Sequence, residues 1–268
     1  MFWQRFFVVI TGVPTFYLII YFGGWPFTLI LFALMLLGCY EYARMAFGEK
    51  NQIHSIWLMG AVLLVLLAEK FDFSPGVDFY IQIAFFSLLA LSLWGYERRN
   101  ATFPHNHLIK MIFGFVILGW MGRYLIRVRA LDIDGSAFLM LMFAIWAADV
   151  GAYIFGSLIG RTKLSPNIRP GKSIEGYLSG IAFSCLITPL FGLYFYPHFD
   201  TRSVLLIALI LAIFVPLGDL CMSMLKRQAG VKDYGGIIPG HGGIMDRLDT
   251  ILWGIVPGYY LLFLFELL

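Results

Sequence analysis

Long apolar segments separated by short polar loops run through almost the whole of this chain. Of its 268 residues, 60% are hydrophobic and 13% are charged, against roughly 45–50% and about 25% in soluble domains. A helix needs roughly 20 apolar residues to cross a bilayer. Segments near this length are 6–22, 26–46, 55–68, 79–96, 108–126, 137–159, 176–196, 203–225 and 250–267. We therefore predict an all-α, polytopic integral membrane protein with about nine transmembrane helices.

The Lys and Arg residues are divided unevenly between alternate loops of this topology. Cytoplasmic loops of membrane proteins carry an excess of both residues. With the N-terminus in the cytoplasm, five of the 19 fall outside, namely Lys70, Arg123, Arg127, Arg129 and Arg202. The two polar loops 160–175 and 226–249 then face the cytoplasm, which predicts a protein of the cytoplasmic (inner) membrane. A net charge of +3 is too small to favour a nucleic-acid partner.

Two carboxylates lie inside predicted membrane segments, Asp149 and Asp219. An ionised side chain at the centre of a membrane helix costs about 2.5–3.5 kcal/mol on insertion scales, unless a cation or a water-filled cavity compensates. Pro216 and Gly218 precede Asp219 and weaken a helix, so we predict a broken helix near Asp219 that opens it to a polar pocket. A purely structural pairing with an arginine is the alternative, and it is stronger for Asp149 than for Asp219.

Residue types that bind phosphate and metal ions are concentrated in the segment 223–249. Lys and Arg neutralise phosphates, closely spaced glycines let backbone N–H groups approach an anion, and carboxylate oxygens are the ligands that Mg²⁺ prefers. For His241, a hydrogen bond within the loop and a phosphate contact are both open. The candidate residues of this segment are Ser223, Lys226, Arg227, Lys232, Asp233, His241, Gly242, Gly243, Asp246, Arg247 and Asp249.

The spacing of these residues predicts a geometry. Asp219, Ser223 and Lys226 succeed one another at intervals of three or four residues, so on a helix they share one face. If a second helix begins at Met245, the chain returns through the glycine-rich loop with Asp246 in the first turn. Asp219 and Asp246 would then converge on metal ions.

The other polar loop, 160–176, carries three cations on a turn that two prolines stiffen. These are Lys163, Arg169 and Lys172. Ser173 and Glu175 follow them, as a cap and an early acid at the start of the next helix. A helix N-terminus beside lysines is an anion-binding site.

The segment 223–249 resembles the signature of the phosphatidate cytidylyltransferases, also called CDP-diacylglycerol synthases. The segment from Asp149 through Lys163 and Ser165 to Glu175 is similar to that family as well, so the resemblance covers the C-terminal half. One departure is visible. Family members tend toward Ser-Pro-Lys-Lys-Thr where this chain has Arg169-Pro-Gly-Lys172-Ser, so Lys172 is the safer candidate for the phosphate contact.

This resemblance implies transfer of CMP from CTP to phosphatidic acid, giving CDP-diacylglycerol and pyrophosphate for phospholipid biosynthesis. It implies Mg²⁺ as cofactor, with a second cation left open, and Asp219 and Asp246 as its ligands. Those two residues, with Lys226 and Arg227, are the expected catalytic residues. The other candidates of 223–249 are expected to bind substrate, as are Asp149, Lys163, Ser165, Lys172 and Glu175.

The two halves of the chain are expected to differ in role. We predict an N-terminal transmembrane accessory region, 1–135, and a C-terminal transmembrane catalytic region, 136–268. Analogy with other membrane enzymes suggests a homodimer formed through small-residue helix faces. A cytidylyltransferase for another lipid phosphate, such as an archaeal ether lipid, stays open, and so does an ion-coupled transporter. The dense phosphate motif and the lack of an internal repeat weigh against the transporter.

Overall fold

Within the residues that it describes, the computed structural model contains ten α-helices, a π-helical turn and a small β-hairpin. It describes residues 12, 14–48, 52–98, 106–195, 199–237 and 242–265, without the side chains of 106, 194 and 195. The helices are α1 (14–22), α2 (Gly24–Phe47), α3 (Gln52–Phe71), α4 (Val77–Arg98), α5 (Asn106–Phe115), α6 (Arg123–Ala130), α7 (Ser136–Ile159), α8 (Ile174–Phe195), α9 (Thr201–Gln228) and α10 (Met245–Leu264). The π-helical turn Val116–Met121 connects α5 to α6. Strands β1 (Lys163–Ser165) and β2 (Arg169–Ser173) pair antiparallel before α8.

Seven helical stretches of the described chain are long and apolar enough to cross a membrane. They are α2, α3, α4, the run His107–Ala130, α7, the first 20 residues of α8, and α9. The prediction of an all-α, polytopic membrane protein is thereby confirmed, whereas the number nine stays a prediction. Segment 6–22 is described only in part, at residue 12 and in α1 (14–22). Helix α10 has 20 residues, but Asp246, Arg247 and Asp249 at its start lower its mean hydropathy.

The chain divides into two compact units. The first contains residues 22–127 and 233–248, and in it α2, α3, α4, α5 and the π-helical turn pack together. Its core includes the fully buried side chains of Met35, Leu58 and Leu88. The glycine-rich segment 233–248 therefore belongs to the same unit as the N-terminal helices. The predicted division of roles at residue 135 concerns function and stays a prediction.

The second unit contains residues 16–21, 128–232 and the chain from 249 onward, with α7 packed against α8 and α9. Glycines let α7 and α8 approach closely. A Cβ on Gly176 would lie 2.8 Å from the Ala152 carbonyl oxygen, and one on Gly180 would lie 2.6 Å from that of Ala148. The hairpin joins the two helices, and Ser173 caps α8 as predicted, because its Oγ accepts the Gly176 N–H at 3.1 Å.

Helix α9 is continuous from Thr201 to Gln228, so the predicted break near Asp219 was wrong. A proline inside a helix removes one N–H donor and crowds the carbonyls of the preceding turn. Neighbouring helices can supply partners for backbone groups disturbed in this way. Here the Tyr177 hydroxyl of α8 donates to the Ile213 carbonyl oxygen at 2.8 Å, three residues before Pro216. The helix therefore carries Asp219 on an uninterrupted backbone.

Candidate active site

Asp219 lies on α9 with 7% of its surface exposed, and two cations of the hairpin contact it. Arg169 and Lys172, both on β2, form ion pairs with the same carboxylate oxygen, Oδ2. Their side chains are 44% and 22% exposed. A buried carboxylate is stable only when paired and hydrogen-bonded, and the hairpin meets this requirement. Arg169, the residue at which the chain departs from the family pattern, is therefore part of this cluster.

The face of α9 that the spacing predicted is present. Asp219, Ser223 and Lys226 are all buried on the helix. Lys226 Nζ lies 3.7 Å from Asp249 Oδ2, and both side chains are at most 10% exposed. Asp249 Oδ1 also accepts the backbone N–H of Thr250 at 2.7 Å. A column of polar groups thus runs along one side of this helix towards its C-terminal end.

Arg227 is exposed and contacts backbone carbonyls. Its guanidinium donates to the carbonyl oxygens of Ile168 and Val231, each at 3.3 Å. Ile168 lies in the turn between the two hairpin strands. Arg227 therefore links the end of α9 to the hairpin that carries the partners of Asp219.

Asp246 is in the first turn of α10, which begins at Met245 as predicted. Its Oδ2 accepts two backbone N–H groups, from Tyr234 at 2.9 Å and from Gly243 at 3.0 Å. Gly242 has a φ of 81°, a left-handed conformation that glycine adopts without strain. Tyr234 and Gly243 are thus held to this carboxylate by main-chain hydrogen bonds, and an acidic side chain is favourable at a helix N-terminus.

The same loop contacts a carboxylate that the sequence reasoning missed. Glu41 of α2 is 3% exposed, and its Oε2 accepts the Met245 N–H at 2.8 Å. Asp149 and Asp219 were predicted as functional residues because each is a lone acid inside an apolar segment. Glu41 meets the same criterion.

The remaining predicted residues that the structure describes lie at the surface or at the edges of these clusters. Glu175 accepts the backbone N–H groups of Arg161 and Thr162 at 3.1 Å, and so fixes the start of the hairpin. Ser165 is partly buried on β1, opposite Arg169. His241 lies outside the described residues. The exposed residues are Asp149, Lys163, Lys232, Asp233 and Arg247.

Three groupings of predicted residues follow from these contacts. Asp219 is joined by Lys172 and Arg169, Asp249 by Lys226, and Asp246 by the glycines 242 and 243. Asp219 belongs to the second unit and Asp246 to the first. Their convergence stays a prediction.

The donor atoms in these groups are of a kind that Mg²⁺ accepts. Within the described residues, no group of three or more His, Cys, Asp or Glu side chains is arranged to hold a metal ion. Mg²⁺ commonly uses one or two carboxylates and takes its other ligands from water and substrate phosphates. Asp219 and Asp246 supply carboxylates of this kind.

The helices and these clusters define a class: a polytopic membrane protein with buried carboxylates beside a cation-bearing hairpin and a glycine-rich loop. The sequence model of the cytidylyltransferase family matches residues 3–265. The chain therefore belongs to the cytidylyltransferase family, and it is an enzyme.

Bacterial relatives align over most of the chain. The phosphatidate cytidylyltransferase of Bacillus subtilis is 34% identical over 269 residues, which covers 98% of either protein. That of Staphylococcus haemolyticus is 35% identical over 233 residues, covering 86% of this chain and 87% of the relative. That of Synechocystis is 32% identical over 290 residues, covering 96% and 95%. The similarity therefore extends into the N-terminal half.

Proposed function

We propose that this protein transfers CMP from CTP to phosphatidic acid, forming CDP-diacylglycerol and releasing pyrophosphate. The names of its relatives supply the substrates. The observation that carries the proposal is the pairing of buried Asp219 with Arg169 and Lys172, which places an acid and two cations on one short hairpin–helix contact. Such a mixture of charges suits a reaction between two polyanions.

The reaction places modest chemical demands on the protein. An oxygen of the lipid phosphate attacks the α-phosphorus of CTP, and the bond from that phosphorus to the oxygen that bridges to the β-phosphate breaks. The electron pair leaves with pyrophosphate. A phosphate monoester is already a nucleophile, so the barrier lies in bringing the anions together and in stabilising the leaving group. Charged side chains held in place serve both tasks together with the proposed Mg²⁺.

The cations of the second unit have corresponding roles. Arg169 and Lys172 bind phosphate oxygens of CTP beside Asp219, and Lys226 adds charge from the same face of α9. Arg227 holds the hairpin at its turn, and Lys232 contributes from the exposed loop. Because charge-assisted hydrogen bonds are about twice as strong as neutral ones, these groups orient the triphosphate as well as neutralise it.

Mg²⁺ is the proposed cofactor, and when bound it neutralises phosphate charge and stabilises the leaving group. Asp219 and Asp246 are its proposed protein ligands. Gly242 and Gly243 let the backbone approach the phosphates closely, and Asp249 holds Lys226 in place. The loops 160–175 and 226–249 face the cytoplasm in this proposal, so CTP arrives from the cytoplasm and the lipid from the bilayer.

The test is pyrophosphate release by the purified protein in detergent, with CDP-diacylglycerol measured in parallel. Release should require CTP, phosphatidic acid and Mg²⁺ together, and omission of any one should abolish it. Diacylglycerol, which lacks the phosphate, serves as the matched control lipid. A monodisperse protein that releases no pyrophosphate with all three components would contradict the proposal, and release with another lipid phosphate alone would redirect it to that acceptor.

A further inference from the structure

Glu41 is a buried acid whose contacts lie at the beginning of another helix. It sits near the C-terminal end of α2 and is 3% exposed. Its Oε2 accepts the N–H of Met245, the first residue of α10, at 2.8 Å. The first N–H groups of a helix have no partner within that helix. Glu41 therefore supplies from a distant part of the chain what a capping residue usually supplies locally.

Two glycines of the loop, Gly235 and Gly243, have their backbone directly against the Glu41 carboxyl group. A Cβ on Gly235 or on Gly243 would overlap the carboxyl atoms of Glu41. One turn earlier on α2, Gly38 leaves room for the side chains of Leu248 and Met245. This face of α2 therefore fits the loop and the first turn of α10 closely, and a larger residue at either loop position would displace the carboxylate.

Glu41 and Asp246 hold the same short segment. Glu41 takes the N–H of Met245, while Asp246 takes the N–H groups of Gly243 and Tyr234. Met245 is the residue directly before Asp246, so a shift of its backbone moves the Asp246 side chain as well. Displacement of a reacting group by about 1 Å can cost about 100-fold in rate.

We propose that Glu41 is a positioning residue: it accepts the Met245 N–H and thereby sets the orientation of the Asp246 carboxylate towards Mg²⁺. The proposal rests on the function proposed above, in which Asp246 is a metal ligand. Glu41 itself touches neither substrate nor metal in this proposal. Its role is that of an outer residue that fixes a ligand, and loss of such residues typically costs about 10- to 100-fold in metal affinity or activity.

Two substitutions of similar volume distinguish the effect of losing the hydrogen bond from the effect of altered packing. Glu41→Gln keeps an oxygen that can accept the Met245 N–H, whereas Glu41→Met fills the same space without an acceptor. We expect the Mg²⁺ concentration for half-maximal activity to rise about tenfold in Glu41→Met, with a smaller change in KM for CTP, and to stay near wild type in Glu41→Gln. Thr28→Val, a buried substitution on the same helix away from the loop, is the control.

Hydrogen exchange without Mg²⁺ or substrate supplies a readout that does not depend on activity. The amide of Met245 should exchange about fivefold faster in Glu41→Met than in wild type, because loss of a hydrogen bond removes a modest stabilisation of the closed state. In Glu41→Gln and Thr28→Val its exchange should remain slow. Uniformly faster exchange throughout the protein in Glu41→Met would indicate general destabilisation and overturn the proposal.

Neighbouring glycines give a second test from the side of the loop. A Cβ on Gly235 would overlap Glu41, whereas one on Gly236 would meet nothing within 4 Å. Gly235→Ala should raise the Mg²⁺ requirement and the Met245 exchange rate as Glu41→Met does, and Gly236→Ala should change neither. If Glu41→Met does not yield a monodisperse protein, this pair of variants tests whether Glu41 positions Asp246.

The outcomes distinguish this inference from the proposed function. A folded wild type that forms no CDP-diacylglycerol contradicts the function, and the exchange data then report only on the hydrogen bond. An active wild type for which Glu41→Met and Glu41→Gln have the same Mg²⁺ requirement overturns the positioning role alone. If Gly235→Ala and Gly236→Ala have the same Mg²⁺ requirement and the same Met245 exchange rate, the positioning role alone is likewise overturned.

Discussion

Asp219 and Asp246 are the two proposed metal ligands, but they are held by different kinds of partner. Asp219 is held by two cationic side chains, Arg169 and Lys172, which are partly exposed. Asp246 is held by two backbone N–H groups of its own loop. Lys and Arg side chains have many rotamers and can exchange one anion for another, whereas backbone groups move only with the loop.

The difference indicates two ways of preparing a carboxylate for a charged ligand. In our proposal the partners of Asp219 also bind phosphate, so the same cations would serve the ligand-free and the ligand-bound protein. The orientation of Asp246 is set by the fold before any ligand arrives, which avoids reorganisation during reaction. We expect substitutions around Asp219 to change the balance of charge at that residue. We expect substitutions around Asp246 to change the orientation of its carboxylate.

The largest expected effect comes from removing the negative charge of either residue. Asp219→Asn and Asp246→Asn should each reduce CDP-diacylglycerol formation at least about 100-fold, because each loses a proposed metal ligand. Asn keeps an oxygen that can accept the N–H groups of Tyr234 and Gly243, so Asp246→Asn should retain the wild-type unfolding temperature. Asp246→Ala should lower it. Full activity of Asp246→Asn would remove the metal role and leave a structural one.

The cations beside Asp219 should produce the next largest effect. Lys172→Gln should raise KM for CTP about tenfold, since hydrogen bonds to charged groups contribute about 1.5–3 kcal/mol. Arg169→Gln should raise it less, because the Arg169 side chain is more exposed and solvent screens its charge. Arg161→Gln, an exposed cation that precedes the hairpin, is the matched control. Unchanged KM values in both variants would contradict the proposed phosphate contacts.

The next prediction concerns the ion pair between Lys226 of α9 and Asp249, and tests whether this pair stabilises the protein. A double-mutant cycle of Lys226→Met and Asp249→Asn, measured by denaturation in SDS, should give a coupling energy of about 1 kcal/mol. The value should be modest because the charged atoms are 3.7 Å apart and Asp249 has a further bond to Thr250. Additive effects of the two substitutions would show that the residues do not interact.

The smallest effect is expected at the other end of α9, where Asp200 caps the helix. Its carboxylate accepts the Ser203 N–H at 3.0 Å, and this bond lowers the pKa of Asp200. A lowered folded pKa means that the cap stabilises the protein above the ordinary Asp pKa of about 3.9 and loses this contribution as the pH falls through the folded value.

Thermal unfolding at decreasing pH tests this cap. The small advantage of wild type over Asp200→Ala should shrink in acid. The advantage of Asp200→Asn over Asp200→Ala should persist, because Asn also caps helices and does not titrate. A wild-type advantage that is independent of pH would contradict the assigned hydrogen bond.

Much of the fold was predictable because a helix that spans a bilayer requires a run of about 20 apolar residues, which is easily recognised in a sequence. Within the described residues, the apolar segments from 26 to 225 all form helices, and the starts of α8 after Ser173 and of α10 at Met245 followed from local residue types. The break near Asp219 was wrong since Pro216 and Gly218 show only that a helix is weakened. Whether it breaks depends on partners such as Tyr177, which sequence spacing does not place.

The candidate site was predictable in its residue types and less so in its pairings. Asp219 was expected to need a cation, but the sequence did not assign Arg169 and Lys172 to it, because that depends on the register of a short hairpin. Glu41 was missed although it meets the same criterion as Asp219. Its partner Met245 lies 204 residues away in the sequence, and no local pattern links the two.

The contact of Glu41 with Gly235 and Gly243 has a consequence for how this sequence can vary. Because a methyl group at either glycine would occupy the space of the carboxyl group, the three positions are not free to change independently. Relatives that carry a larger residue at position 235 or 243 should carry a shorter one at position 41. A change at any of them alone should be selected against, so these distant residues are expected to be inherited together.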